Sequence, residues 1–107
     1  MDFQLPNVYE ISINRCVPYY LMSSYLYYKG DICILEDNEF DYMCKRLYDE
    51  WDNITHHHKH LLDRDSLRAG TGYELQYNTR ISSAASQWYE DYLEHEKKNK
   101  KEEINNT

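Results

Sequence analysis

No apolar run in these 107 residues is long enough to cross a bilayer. A membrane-spanning segment is therefore not expected. The start lacks a positively charged stretch followed by an apolar one, so no secretory signal is expected either. The three cysteines, Cys16, Cys33 and Cys44, are odd in number and form no Cys-x-x-Cys. That pattern fits reduced thiols acting as small core residues, and hence a cytoplasmic protein. Three glycines are present, and two of them sit in one stretch, Gly70-Thr71-Gly72. The stretch lacks the Lys-Ser/Thr ending of a phosphate loop and reads as a turn that folds Tyr73 back on the body. There is no His-Glu-x-x-His, no internal repeat and no heptad series of coiled-coil length.

What the chain has is tyrosine and acid. Twelve tyrosines stand against two phenylalanines. Tyrosine supplies apolar area with a polar end and so serves half-buried positions and contact surfaces alike. The frequent Tyr, Asn, Lys and Ile also fit a compositional bias of an AT-rich, phage-like genome, which would place the protein in a host cytoplasm. The net charge is −7, and without residues 97–107 it is −9, from 8 basic and 17 acidic side chains. Such a body repels duplex phosphates, so direct DNA binding is not expected, whereas a basic protein surface would suit it.

Length and periodicity predict a single all-α domain over residues 1–98, with a flexible polar tail at 99–107. Three main helices are expected, at about 17–29, 37–52 and 80–97. The first carries a stripe of Val17, Leu21, Ser24, Tyr25 and Tyr28. Pro18 suits its first turn and Gly30 a left-handed cap. The second opens with acids that favour the positive end of the helix dipole. Its core stripe is Phe40, Cys44, Leu47, Trp51 and Ile54. These two helices should form an antiparallel pair. The third, capped by Asn78 or Thr79, presents Ile81, Ala84, Ala85, Trp88, Tyr92 and Leu93. Its small residues allow another helix to come close, and a homo-oligomer through this helix is one way to use it.

Within the helix pair, helical spacing puts Tyr25 near Tyr28, and Asp37 near Asp41. A loop that folds the pair together would line one small cleft with tyrosines and carboxylates. Such a cleft suits a planar ring with positive character and does not suit a bare phosphate. His56, His57, His58 and His60 lie in a polar connection, where exposed histidines are expected rather than a metal site, although Asp52 or Asp63 stand near enough in sequence to join them. Arg64, Arg68 and Arg80, the concentrated basic residues outside the tail, are expected to pair with carboxylates.

Over residues 15–52 the chain resembles the small N-terminal Ia domain of the bacterial NAD-dependent DNA ligases. The Tyr-His of that domain falls on Tyr27 and Tyr28. Its Asp-x-x-Tyr-Asp falls, without a gap, on Asp37, Phe40 and Asp41, and Glu39 and Leu47 also match. The histidine is Tyr28 here and the tyrosine is Phe40, so each ring is kept and its hydrogen bonding altered. The resemblance implies an Ia-like helix pair. It also implies that Tyr27, Tyr28, Asp37, Phe40 and Asp41 hold nicotinamide mononucleotide or the corresponding half of NAD. It further implies a separate nucleotidyltransferase as partner, because no Lys-x-Asp-Gly is present to carry adenylate. In that family the Ia part caps the ligand and does not supply the nucleophile, so no catalytic residue is assigned. Size, charge and abundant tyrosine also fit a small acidic inhibitor of a nucleic-acid or defence enzyme, or an assembly protein.

Overall fold

The computed structural model describes residues 3–72 and 75–105, with side chains through Lys98. Tyr73, expected to fold back on the body, lies outside the described residues, as do the last two residues of the expected tail. The described chain is all-helical: α1 Ile13–Gly30, α2 Asp37–Asp49, α3 Arg64–Ala69 and α4 Thr79–Asn105, with short 3-10 turns at Trp51–Asn53 and Lys59–Leu61. Helix α1 is the centre of the fold. It packs against α4 on one side and α2 on another, and α3 closes on α2.

The core is read directly from helical spacing. On α1, Cys16, Val17, Tyr20, Leu21 and Ser24 are buried, and α2 answers with Met43, Cys44 and Leu47. Ile81, Ala85 and Trp88 of α4 cover the other flank, four and three residues apart on one face. Ala84 and Leu93, expected on that face, are exposed. Trp51 is only half-buried, with the Lys59 ammonium 4.9 Å from its ring centre.

Several boundaries differ from expectation. Helix α1 starts four residues earlier than predicted, with Ser12 as its extended N-cap, so Pro18 lies inside the helix instead of in its first turn. The left-handed residue that ends α1 is Asp31 (φ 55°), not Gly30. Its N–H donates to the Tyr27 carbonyl at 3.0 Å, and that of Ile32 to Leu26 at 3.0 Å. Aspartate is among the few residues that tolerate this conformation. Helix α2 ends at Asp49, and the chain turns there into a 3-10 segment. The Asn78 Oδ1 caps α4 by accepting from Ile81 N at 2.8 Å. Helix α4 continues past Lys97 to Asn105.

Arg46 ties the N-terminal segment to the body. Its Nη1 donates to the carbonyls of Val8 (3.0 Å) and Ile11 (2.6 Å), and its Nε pairs with Glu50 at 3.4 Å. The guanidinium thus satisfies backbone acceptors that no helix could reach. Of the other arginines, Arg68 pairs with Asp65 at 3.9 Å, while Arg64 packs over the Tyr48 ring at 5.0 Å, and neither Arg64 nor Arg80 forms an ion pair among the described residues.

Candidate functional site

A cleft of about 290 Å³ opens where the end of α1, the 31–36 loop and the start of α2 meet. Tyr27, Tyr28, Asp37, Phe40 and Asp41 all line it, together with Ser23, Ile32, Cys33, Ile34, Leu35 and Gly70. The helix geometry explains the grouping. Ser23 and Tyr27 stand four apart on α1, and Asp37 and Asp41 four apart on α2. The loop between them is held down by Leu35, which is buried. At the start of α2, Glu39 Oε1 accepts from the Glu36 N–H at 2.9 Å, which fixes the turn that aims Asp37.

The three rings have different roles. Tyr27 is 47% exposed and meets Tyr28 edge to face, with ring centres 4.7 Å apart. It is the lining ring most open to a stacking partner. Phe40 stacks on Tyr20 at 5.6 Å and 26°, so one of its faces is already taken by the core. The Tyr28 hydroxyl shares a 2.8 Å hydrogen bond with Thr71 Oγ1. Neither carboxylate forms an ion pair among the described residues. Cys33 is exposed, and its thiol is pushed above the usual range by burial and by the negative charges of Asp37 and Asp31. The shift disfavours its thiolate, the nucleophilic form. The Ser23 Oγ is hidden from solvent and has no hydrogen-bond partner among the described residues.

The third wall is absent from the sequence reading. Residues 70–72 come in from the far end of α3 and are clamped by tyrosine hydroxyls from two other elements. Tyr20 donates to the Thr71 carbonyl at 2.7 Å and Tyr77 to the Gly72 carbonyl at 2.9 Å, beside the Tyr28–Thr71 bond. Gly70 adopts φ 71° as the left-handed cap of α3, with its N–H on Leu67 O and that of Thr71 on Ser66 O. Gly72 presses its backbone on α1 opposite Ser24. No phosphate loop is formed here. The glycines serve a cap and a close approach.

Burial raises the pKa of both clamp donors: Tyr20 is driven far above 10, and Tyr77 is pushed up to about 12. Unfolded tyrosine ionises near 10. Between about pH 10 and 12 the unfolded chain therefore binds fewer protons than the folded one, and stability falls as pH rises. The clamp is fully present below pH 10. Alkaline titration followed by tyrosinate absorbance and circular dichroism together should show Tyr20 and Tyr77 ionising only as helix is lost. Ionisation of all tyrosines before any loss of helix would contradict the clamp.

Of the histidines expected to be exposed, His57 and His60 are, whereas His56 is half-buried and His58 is buried. His58 is 7% exposed, and its ring lies 4.0 Å from that of His57. The cause is the tight turn: His58 N–H donates to His56 Nδ1 at 3.0 Å and folds the tripeptide on itself. Burial and the neighbouring imidazoles lower the pKa of His56 and His58. Candidate ligand atoms of His56, His57 and His58 come within 4.8 Å of one another. While its Nδ1 accepts that bond, neutral His56 carries its proton on Nε2 and offers no lone pair. Two imidazoles remain, fewer than a zinc site ordinarily takes from protein.

Among the described residues no helix is long and apolar enough to cross a membrane. No protein-family model, curated protein or solved structure matches the chain.

Proposed function

We propose that the cleft binds the nicotinamide end of a nicotinamide nucleotide, as a non-catalytic module acting alone or beside a separate nucleotidyltransferase. One observation carries this reading. Five positions that match the ligase Ia motif, drawn from two helices, line a single cleft. Its size sits at the lower end of small-molecule sites, which suits a ring and its sugar better than a whole dinucleotide. A pyridinium ring laid on Tyr27 would gain stacking and cation–π attraction. The carboxylates of Asp37 and Asp41 would balance its charge or accept from its amide.

Calorimetry with nicotinamide mononucleotide, NAD and AMP tests the reading. Saturable heat is expected from the two nicotinamide compounds and little from AMP. No heat from any of them at millimolar concentration would refute it and leave the acidic surface, with a protein partner, as the better account. Asp37→Asn should weaken binding by about 1.5–3 kcal/mol, the range for a hydrogen bond to a charged group. Tyr27→Ala should remove the stacking. Both side chains are exposed, so neither change should move the melting midpoint appreciably. Phe40→Tyr is the cleaner reversion toward the family motif, because Tyr28→His would also break the bond to Thr71.

A further inference from the structure

We infer that the cleft selects a cationic pyridinium nucleoside, of the nicotinamide riboside kind, over the same nucleoside carrying a phosphate. The inference rests on the ring-binding reading above and adds a specificity to it. A nucleotide site ordinarily meets its phosphate with Arg, Lys, a helix N-terminus or several hydroxyl and amide donors. None of the described residues lining this cleft is Arg, Lys or His, and two are carboxylates. Lys29 and Lys45 are exposed but are not among the lining residues, and Arg68 is turned to Asp65. The N-terminus of α2 does reach the cleft, but it is already closed by the capping box between Glu36 and Glu39.

The donors a phosphate would need are missing in a second way. Phe40 has no hydroxyl, that of Tyr28 is engaged with Thr71, and that of Ser23 is hidden from solvent, which leaves the Tyr27 hydroxyl as the exposed side-chain hydroxyl of the lining. What remains favours a cation. Tyr27 offers an exposed π face, and Asp37 and Asp41 stand four residues apart on the same wall without ion-pair partners among the described residues. A fixed positive charge on a ring is attracted by all three groups. A phosphate tethered to the same sugar brings negative charge toward two carboxylates on a chain whose net charge is already −7. Removing the phosphate therefore removes a repulsion and forgoes no more than a hydroxyl contact to Tyr27.

Four probes separate the terms: nicotinamide riboside, nicotinamide mononucleotide, neutral nicotinamide and N-methylnicotinamide, titrated into the protein at low salt. The riboside is expected to bind about tenfold or more tighter than the mononucleotide. N-methylnicotinamide should likewise bind more tightly than nicotinamide. Added salt should weaken the riboside and narrow the gap between riboside and mononucleotide. The double variant Asp37→Asn, Asp41→Asn, checked for fold by circular dichroism, should bring the two affinities together. A mononucleotide that binds as tightly as the riboside overturns the inference and leaves ring binding intact. A riboside preference unchanged in the folded double variant overturns the charge argument and the inference with it. Silence from all four probes overturns both the inference and the proposed function.

Discussion

Replacing Trp88 by Ala should lower the unfolding free energy by about 3–5 kcal/mol, the usual cost of removing a large buried aromatic. Trp88 is 8% exposed and packs its ring 5.4 Å from that of Tyr19, so it fills the seam between α4 and α1. Its neighbour on the same face, Ala85, is small and already fully buried. Denaturant unfolding should show the midpoint fall with little change of slope. For a domain of this size the melting midpoint should drop by roughly 15 °C or more. A loss below about 1 kcal/mol would mean that α4 is not a structural part of the core.

The second large effect is expected at Gly72. A Cβ placed there would stand 2.7 Å from the Ser24 Cβ and nearer still to its Oγ. The obstacle is the stem of a helical side chain, so rotation cannot relieve it. Either the 70–72 segment lifts off α1 or the helix shifts. Gly72→Ala should cost about 1–3 kcal/mol or more, as overpacking does. It should also open the cleft by displacing the wall that Gly70 forms. The second-site change Ser24→Gly removes the colliding atoms, so a double-mutant cycle should show strong coupling even after the roughly 1 kcal/mol cost of glycine in a helix. Ser24→Ala keeps the Cβ and should not rescue. Additive effects of Gly72→Ala and Ser24→Gly would disprove the contact. Gly70→Ala is a different case: the nearest atom, Asp41 Oδ1, is 3.5 Å away, so its cost is the left-handed backbone alone.

The all-α fold and much of the core were legible because they are local. Cys44 and Leu47 recur at helical spacing and are buried, and the acids at 36–37 and Asn78 mark helix starts at the right residues. The start of α1 was missed because Ser12 caps it without a side-chain hydrogen bond, while Pro18 imitates a first-turn residue. The extension of α4 to Asn105 was missed because its Lys- and Glu-rich end has no apolar rhythm, only good helix propensity. Helix α3 spans six residues, too few to show a period, and is fixed by Ser66 Oγ donating to Asp63 at 2.7 Å. At the candidate site, the two helical walls follow from fourfold spacing. Gly70 could not be placed by any local signal, since two of the three hydroxyls that hold the 70–72 segment, those of Tyr20 and Tyr28, are far away in sequence.

That distance bears on the order in which the molecule is assembled. Two bonds of the clamp join Thr71 to residues 51 and 43 positions earlier. Contacts of that separation close late, after the entropy of the intervening loop has been overcome. A nascent chain that has emerged only as far as α2 already carries every residue of the aromatic and acidic motif. It has the two helical walls and the loop between them, and lacks only the wall that Gly70 forms. The cleft is thus closed only in the finished tertiary fold, so local opening of the 70–72 segment would remove that wall while leaving the helix pair in place.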